Sequence, residues 1–533
     1  MFILEGAIVT SPSDLKALSE CEFAFARVLD AKLGRLEAVP VDDDPMLKRA
    51  GRLGDAHEDE QLVRYRAAHP GDVVEIARPH PLTRESLRAA ARETEQALRG
   101  GAAVVFQATF FDESDPAAPT IGFADFLVRR PDGRYRVQDT KLARSVKVTA
   151  LLQLAAYHGH LVRLGVPVDD EVELLLGDGT TAVHRIDEIE PVYRMRMLRL
   201  REVLDVRLAA TAPAAWGDPD LAVDGRCVHC AEQVAAHDDL LQVAGIRLTQ
   251  RAKLHEAGIT TLAALAATPK RPAGCGIPET TYRALHQQAR LQHAGPDAAG
   301  LPRVELVRPQ VVAELPAPDE GDLFFDFEGD PLWRAERDGE VLWGLDYLFG
   351  MTDTADRFTA FWAHDLAAEK KALRDFLDLV AARRAAHPGM HIYHYASYER
   401  THLLSIAARH GEAEHEVDEL LRDNVLVDLY PVVKKALRVG VPSYSIKKLE
   451  PLYMGDQLRD ESGVTTAIGS VEEYQRSREL ELAGNHAEAQ QLLEQIADYN
   501  AYDCRSTRAL RDWMIDLAAE RGIRPGTSAP EPL

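Results

Sequence analysis

Apolar positions change period several times along the 533-residue chain, and each change marks an element. From Ser11 to Arg35 they return every three or four residues, with Leu15, Leu18, Cys21, Phe25 and Leu29 on one side. Ser11-Pro12-Ser13-Asp14 supplies a capping start, so a helix is predicted there. AVVFQATFF, residues 103–111, is a near-continuous apolar run and reads as a buried strand. GFADFLVRR and RYRVQDTK follow, rich in aromatic and branched residues and joined by Pro131-Asp132-Gly133. Two such runs about a turn signal predict a β-hairpin. A helix is expected over 150–165, then a second hairpin, 172–176 and 180–186, around Gly177-Asp178-Gly179. Short helices fill 239–291, and the Pro-, Ala- and Gly-rich stretch 293–318 reads as a linker interrupted by one strand at 304–307. LFFDFEGDP (323–331) and HIYHY (391–395) read as strands, and residues 499–503 lie on a late helix. The order implies an α/β multidomain protein: domains at 1–236, 237–292 and 319–522, and a disordered tail, 523–533, ending in RPGTSAPEPL.

Length fits roughly three or four domains, and 46% apolar content gives them cores. No apolar run approaches the roughly 20 residues that span a bilayer, and MFILEGAIVTSPSDL has no basic leader. A cytoplasmic protein without a membrane partner is expected. Five cysteines then suggest a metal or cluster rather than disulfides. A net charge of -23 argues against an overall basic coat, leaving nucleic-acid binding to local patches. Arg194, Arg196, Arg199, Arg201 and Arg207, in a helix after Pro191, are either such a footprint or a solvated face. No G-x-x-x-x-G-K-[ST] loop occurs, so the chain shows no motor motif.

Two stretches carry candidate chemistry. Asp139 and Lys141 are two apart on the second strand of the first hairpin and share a face, and the hairpin can bring Asp125 beside them. Two carboxylates and a lysine can hold a divalent metal and polarise a phosphodiester. This hairpin resembles the core of the PD-(D/E)XK nuclease superfamily in its RecB-like branch. The resemblance extends to LGDAH at 53–57, whose His57 would add a metal ligand, and to the Gln153-x-x-x-Tyr157 helix, which would pack over the site and meet nucleic acid. It further implies that Cys21 joins late cysteines, here Cys227 and Cys230, in an iron-sulfur cluster. The fourth cysteine is missing, so His229 or His237 with zinc, an altered cluster, or simple packing all stay open.

In the second stretch, Asp326 and Glu328 share a strand face and can bridge a metal pair. With Tyr395-x-x-x-Glu399 and Tyr499-x-x-x-Asp503 they resemble the exonuclease motifs of the DnaQ-like branch of the RNase H-like fold, closest to the YprB-like group. That likeness implies two-metal hydrolysis with Mg2+ or Mn2+ held by Asp326, Glu328, Glu399 and Asp503, and Tyr499 orienting or deprotonating the water. Asp428 is expected to cap a helix, and PSYSIKKL at 442–449 to form a turn into a helix. Residues 240–266 resemble a helix-hairpin-helix module, with Gly245 at its turn and Arg247 where a second glycine is usual. Such modules bind phosphates through turn amides. The combination resembles a family of RecB-like nucleases. It implies a metal-dependent nuclease with two sites acting on DNA, with a separate helicase supplying single strands. RNA trimming, or binding without cleavage, are the alternatives.

Overall fold

Turns and strand registers set the first half of the chain. In the computed structural model, residues 1–39, 44–115, 118–337, 339–459 and 464–526 are described. The chain folds as two compact units, Met1–His237 with Ala335–Leu342 and Asp238–Arg334 with Trp343–Leu533. The first unit opens with a small hairpin, β1 (Phe2–Leu4) and β2 (Ala7–Val9). Its main sheet has six strands in chain order: β3 (Val73–Glu75), β4 (Val104–Asp112), β5 (Thr120–Arg129), β6 (Tyr135–Lys141), β7 (Val168–Leu176) and β8 (Thr181–Arg185). Gly133, at φ +87°, supplies the left-handed residue that lets Pro131-Asp132-Gly133 reverse the chain between β5 and β6. The two strands pair antiparallel with Phe126 opposite Gln138, which sets Asp125 across from Asp139. Helix Val148–Arg163 crosses over before β7 adds parallel to β6. Val105, Leu127, Val137, Leu154, Leu161, Val172 and Leu174 form the core beneath it, each contributing about 1.5–3 kcal/mol of burial.

Two expectations change here. The helix predicted over Ser11–Arg35 is two helices, Pro12–Glu20 and Glu22–Lys32. Cys21 between them is extended at φ -159°, and its Sγ caps the second by accepting from Ala24 N at 3.4 Å. The arginine run lies on helix Ile186–Ala209, where Arg199 and Arg207 are spent on structure and Arg194 lies on the solvated face. Arg194 pairs with Glu190 (2.6 Å), Arg199 with Glu22 (2.8 Å), and Arg207 with the fully buried Asp30 (2.8 Å).

Next along the chain, β9 (Val304–Leu306) is followed by β10 (Leu323–Arg337) and β11 (Glu340–Asp353), whose adjoining ends within Ala335–Leu342 count with the first unit, and then in the second unit by β12 (Phe358–Trp362), β13 (Ile392–His394), β14 (Leu426–Asp428) and β15 (Leu437–Val439). Five of them form a sheet ordered β12-β11-β10-β13-β14. β12 is antiparallel to β11, whereas β13 is parallel to both β10 and β14. Alternation along β10 sends Phe325 and Phe327 into one core with Phe349 and Phe376, and Phe324 into the opposite core with Tyr393, Leu510 and Met514. Asp326 and Glu328 share the Phe324 side, toward helix His486–Ala519.

Three short helices, Leu248–Glu256, Leu262–Ala266 and Glu279–His293, gather around Leu240, Leu254, Leu265 and Tyr282. This bundle belongs to the second unit: Gln288 Nε2 donates to Val439 O (2.7 Å), and Tyr444 Oη donates to Gln288 Oε1 (2.7 Å). The stretch read as a linker is packed into that unit, because β9 pairs antiparallel with β15 and Val312 and Leu315 are buried. The predicted tail starts too early. Ile523 packs on the core, and Gly526 N donates to Leu315 O (2.8 Å). Residues 527–533 lie outside the described residues. Among the described residues no helix is long and apolar enough to cross a membrane.

Candidate active site

The carboxylates of the second unit converge. Strand β10 presents Asp326 and Glu328, and helix His486–Ala519 presents Tyr499, Asn500 and Asp503 within one turn. Ligand oxygens of Asp326, Glu328 and Asp503 lie within 4.8 Å of one another. Asn500 Nδ2 donates to Asp326 Oδ2 at 2.8 Å and fixes that carboxylate. Asn500 fits only because β11 carries Gly350: a Cβ there would stand 1.6 Å from Asn500 Oδ1. Burial, followed by the charges of Glu328, Asp503 and Glu399, pushes the Asp326 carboxyl well above its ordinary range. Burial likewise raises Glu328 to about 8, with Asp503 adding to it while Ser470 and Asn500 oppose it. Asp503 is raised by burial against the opposing charges of Arg459 and Lys447. Buried acids so crowded favour a cation between them. The residues fit a divalent metal by donor chemistry, since hard carboxylate oxygens are what such ions take.

Glu399 is buried beside Asp326 and raises it, but stands outside the close trio. His394 Nδ1 holds Glu399 Oε2 at 3.1 Å. The turn between β13 and helix Tyr398–His410 depends on Ala396, at φ +77°, whose N donates to Asp428 Oδ1 at 2.9 Å. Asp428 caps the next helix as well, accepting from Tyr430 N at 2.9 Å. Tyr499 accepts from Lys447 Nζ at 3.4 Å. Burial and the neighbouring carboxylates raise its phenol above the ordinary range, which suits orientation of a water better than proton abstraction. Lys447 lies on the short helix Ile446–Leu449, in the segment read as a turn into a helix. Sequence reasoning also missed Asn500 and Arg459. Arg459 pairs with Asp503, and its guanidinium carbon sits 4.3 Å from the centroids of both Tyr499 and Tyr502. An N-x-x-D spacing on the late helix, Asn500 to Asp503, was the available signal for Asn500.

In the first unit the hairpin does bring Asp125, Asp139 and Lys141 together. Lys141 pairs with the buried Asp139, and Asp125 Oδ2 accepts from Thr140 N and Oγ1 at 2.8 and 2.9 Å. Burial and the Asp125 charge push Asp139 well up, with Lys141 opposing. His57 Nε2 lies 3.2 Å from the carbonyl oxygen of Leu175, which pairs in register with Thr140 between Asp139 and Lys141. The close metal-capable sets among the described residues include none of His57, Asp125 and Asp139. The next residue, Glu58, is the one influenced by Asp125: burial and then that charge raise it to about 7. Glu58 accepts from Gln107, which sits at φ +54° in β4 and accepts from Arg78 Nε at 2.9 Å. Gln153 is half-buried on helix Val148–Arg163. Tyr157 is buried rather than exposed to a strand, because its ring covers Gly122, where a Cβ would lie 3.0 Å away.

Cys21, Cys227 and Cys230 place their sulfurs within 4.8 Å of one another, with Cys21 and Cys230 3.6 Å apart. The hydrogen bond with the Cys230 thiol and those from the amides of Asp224 and Ala24 lower the Cys21 thiol to about 6 against the opposing effect of burial. His229 Nδ1 is buried without a partner, whereas His237 Nδ1 lies on its own helix at 3.0 Å from Gln233 O. Gly245 takes φ +81° at the turn before helix Leu248–Glu256, and Arg247 is an exposed N-cap there.

Residues 323–515 match the family model of the RNase H superfamily, so the chain contains an RNase H-like domain built around the Asp326, Glu328 and Asp503 cluster. A protein from Eubacterium rectale named as a candidate exonuclease is similar to the chain at 14% identity and a TM-score of 0.24, covering 42% of this chain and 87% of its own. That likeness is too distant to bear on mechanism. No curated protein matches the chain.

Proposed function

We propose that the protein is a metal-dependent nuclease whose principal site is the carboxylate cluster of the RNase H-like domain. The observation that carries this reading is the convergence of Asp326, Glu328 and Asp503. Bound there, Mg2+ or Mn2+ would acidify a water and offset charge on the phosphodiester. The chain's own residues do the positioning. Asn500 orients Asp326, His394 braces Glu399, and Lys447 aims the Tyr499 hydroxyl. Arg459, 4.3 Å from the centroids of two tyrosine rings, pairs with Asp503 and fixes that carboxylate.

The first unit supplies a second site of the PD-(D/E)XK type, with Asp125, Asp139 and Lys141 as its catalytic set and Glu58 facing them. The three cysteines form a metal clasp. Three thiolates suit zinc, and neither His229 nor His237 stands within the close set they form among the described residues. DNA is the favoured substrate, read by the exposed Arg247 turn as well as the sites. End-labelled single strands incubated with Mg2+ or Mn2+ test this reading. Asp326→Asn should remove cleavage from the C-terminal site, and wild-type protein inert on both DNA and RNA in either metal would refute it.

A further inference from the structure

Helix Ala467–Leu482 in the second unit carries none of the candidate catalytic residues, yet it grips the strand that does. Ser470 sits in its first turn and is fully buried. The Ser470 hydroxyl lies 2.7 Å from that of Tyr347, on β11, and also hydrogen-bonds the Glu328 carboxylate. Five residues on, Gln475 Nε2 donates to Asp330 Oδ2 at 2.7 Å. Glu328 and Asp330 are two apart on β10 and share a face, so one helix holds both carboxylates that follow Asp326.

The helix is itself fixed against β11. Tyr474, one turn after Ser470, stacks on Tyr347 with ring centroids 3.9 Å apart and planes 5° apart. Its hydroxyl donates to Ala363 O at 3.3 Å. Lys447 Nζ, which donates to Tyr499, also donates to Thr465 O at 2.7 Å, just ahead of the helix. Packing accounts for the rings but not for the hydroxyls of Tyr347 and Ser470. Phenylalanine and alanine would fill the same space without burying two polar oxygens that need partners. A hydroxyl has one proton to give, and an ionised carboxylate can only accept. When Ser470 gives its proton to Glu328, the proton between the two hydroxyls comes from Tyr347. The order is therefore Tyr347 to Ser470 to Glu328, and the chain ends on a carboxylate of the metal-capable cluster.

We propose that Ser470 is a positioning residue of this site: braced by the Tyr347 hydroxyl, it holds the Glu328 carboxylate in the orientation in which it meets Asp326 and Asp503. The proposal rests on the metal-dependent nuclease reading of that cluster and adds helix Ala467–Leu482 to its machinery. Partners that orient a metal ligand in this way set metal affinity as well as rate.

The test is calorimetric titration of the full-length protein with Mn2+, following the binding event that Asp326→Asn removes, which separates this cluster from Mn2+ bound elsewhere. Ser470→Ala should weaken that event on the order of 10-fold. Tyr347→Phe should weaken it in the same direction. The double variant should be no weaker than Ser470→Ala alone, because both residues act through one chain of hydrogen bonds. A residue that only packs would lower stability in urea and leave Mn2+ affinity as it was. Wild-type affinity in Ser470→Ala overturns the proposal, and so do losses that add in the double variant. Should Ser470→Ala fail to fold, Tyr347→Phe decides, since it deletes a single oxygen, and unchanged affinity there overturns the proposal as well. Because binding is read without turnover, a Ser470-dependent event in a protein that cleaves neither DNA nor RNA would sink the nuclease reading alone. A wild type with no event that Asp326→Asn removes would sink both.

Discussion

Asn500 shows how much of the site depends on residues that bind no metal themselves. Its amide fixes Asp326 from 2.8 Å, so Asn500→Ala should lower activity or Mn2+ affinity about 10- to 100-fold, the usual effect of losing a residue that orients a ligand. Calorimetric Mn2+ titration alongside strand cleavage checks this, and unchanged values for both would remove Asn500 from the site. His160 offers a separate test in the first unit. Burial, aided by Arg163, lowers its imidazole to about 3 from an ordinary 6.5. The folded state thus keeps the ring neutral while the unfolded chain takes up a proton below about 6.5. Stability should fall by roughly 1.4 kcal/mol per pH unit from that point toward pH 3 through this group alone. His160→Gln does not titrate, so its stability deficit relative to wild type should shrink as denaturation is repeated at lower pH. A constant deficit from pH 8 to pH 4 would contradict the assignment.

At the scale of elements, β10, β11 and helix His486–Ala519 meet through one glycine. Gly350→Ala puts a methyl group 1.6 Å from Asn500 Oδ1, and Asn500 is fully buried with nowhere to retreat. The variant should lose about 1–3 kcal/mol of stability and also activity, because relieving the clash moves Asn500 off Asp326. Chemical denaturation and strand cleavage measured together check it, and a variant with unaltered activity would show that Asn500 does not set the site.

Such juxtapositions mark the limit of what the sequence discloses. The β5–β6 hairpin was legible because its turn residues and its side-chain alternation are local, and so was the pairing of Asp326 with Glu328 on one strand. The contact between Gly350 and Asn500 is 150 residues apart in the chain and leaves no periodic trace. The same holds for Glu58, where helix rotation decides which of two neighbours faces Asp125, and for Cys21, whose backbone ends one helix while its sulfur caps the next. The linker reading failed because composition does not report that β9 would find β15. The pairing of Arg199 and Arg207 was not legible because their partners Glu22 and Asp30 lie 177 residues earlier in the chain.

At the scale of the molecule, a chain of net charge -23 is proposed to act on a polyanion. Part of that surplus lies in the clusters around Asp326 and Asp125, where the proposal places cations, and association should be correspondingly dependent on divalent metal. The two proposed sites, in separate compact units, also predict independent losses. The measurement that bears most directly on this is digestion of end-labelled single strands in Mg2+ and in Mn2+, comparing wild type, Asp326→Asn, Lys141→Ala and the double variant. Wild type should cleave, each single variant should alter the product pattern in its own way, and the double variant should not cleave. Cleavage by the double variant at the wild-type rate would contradict the assignment of both sites.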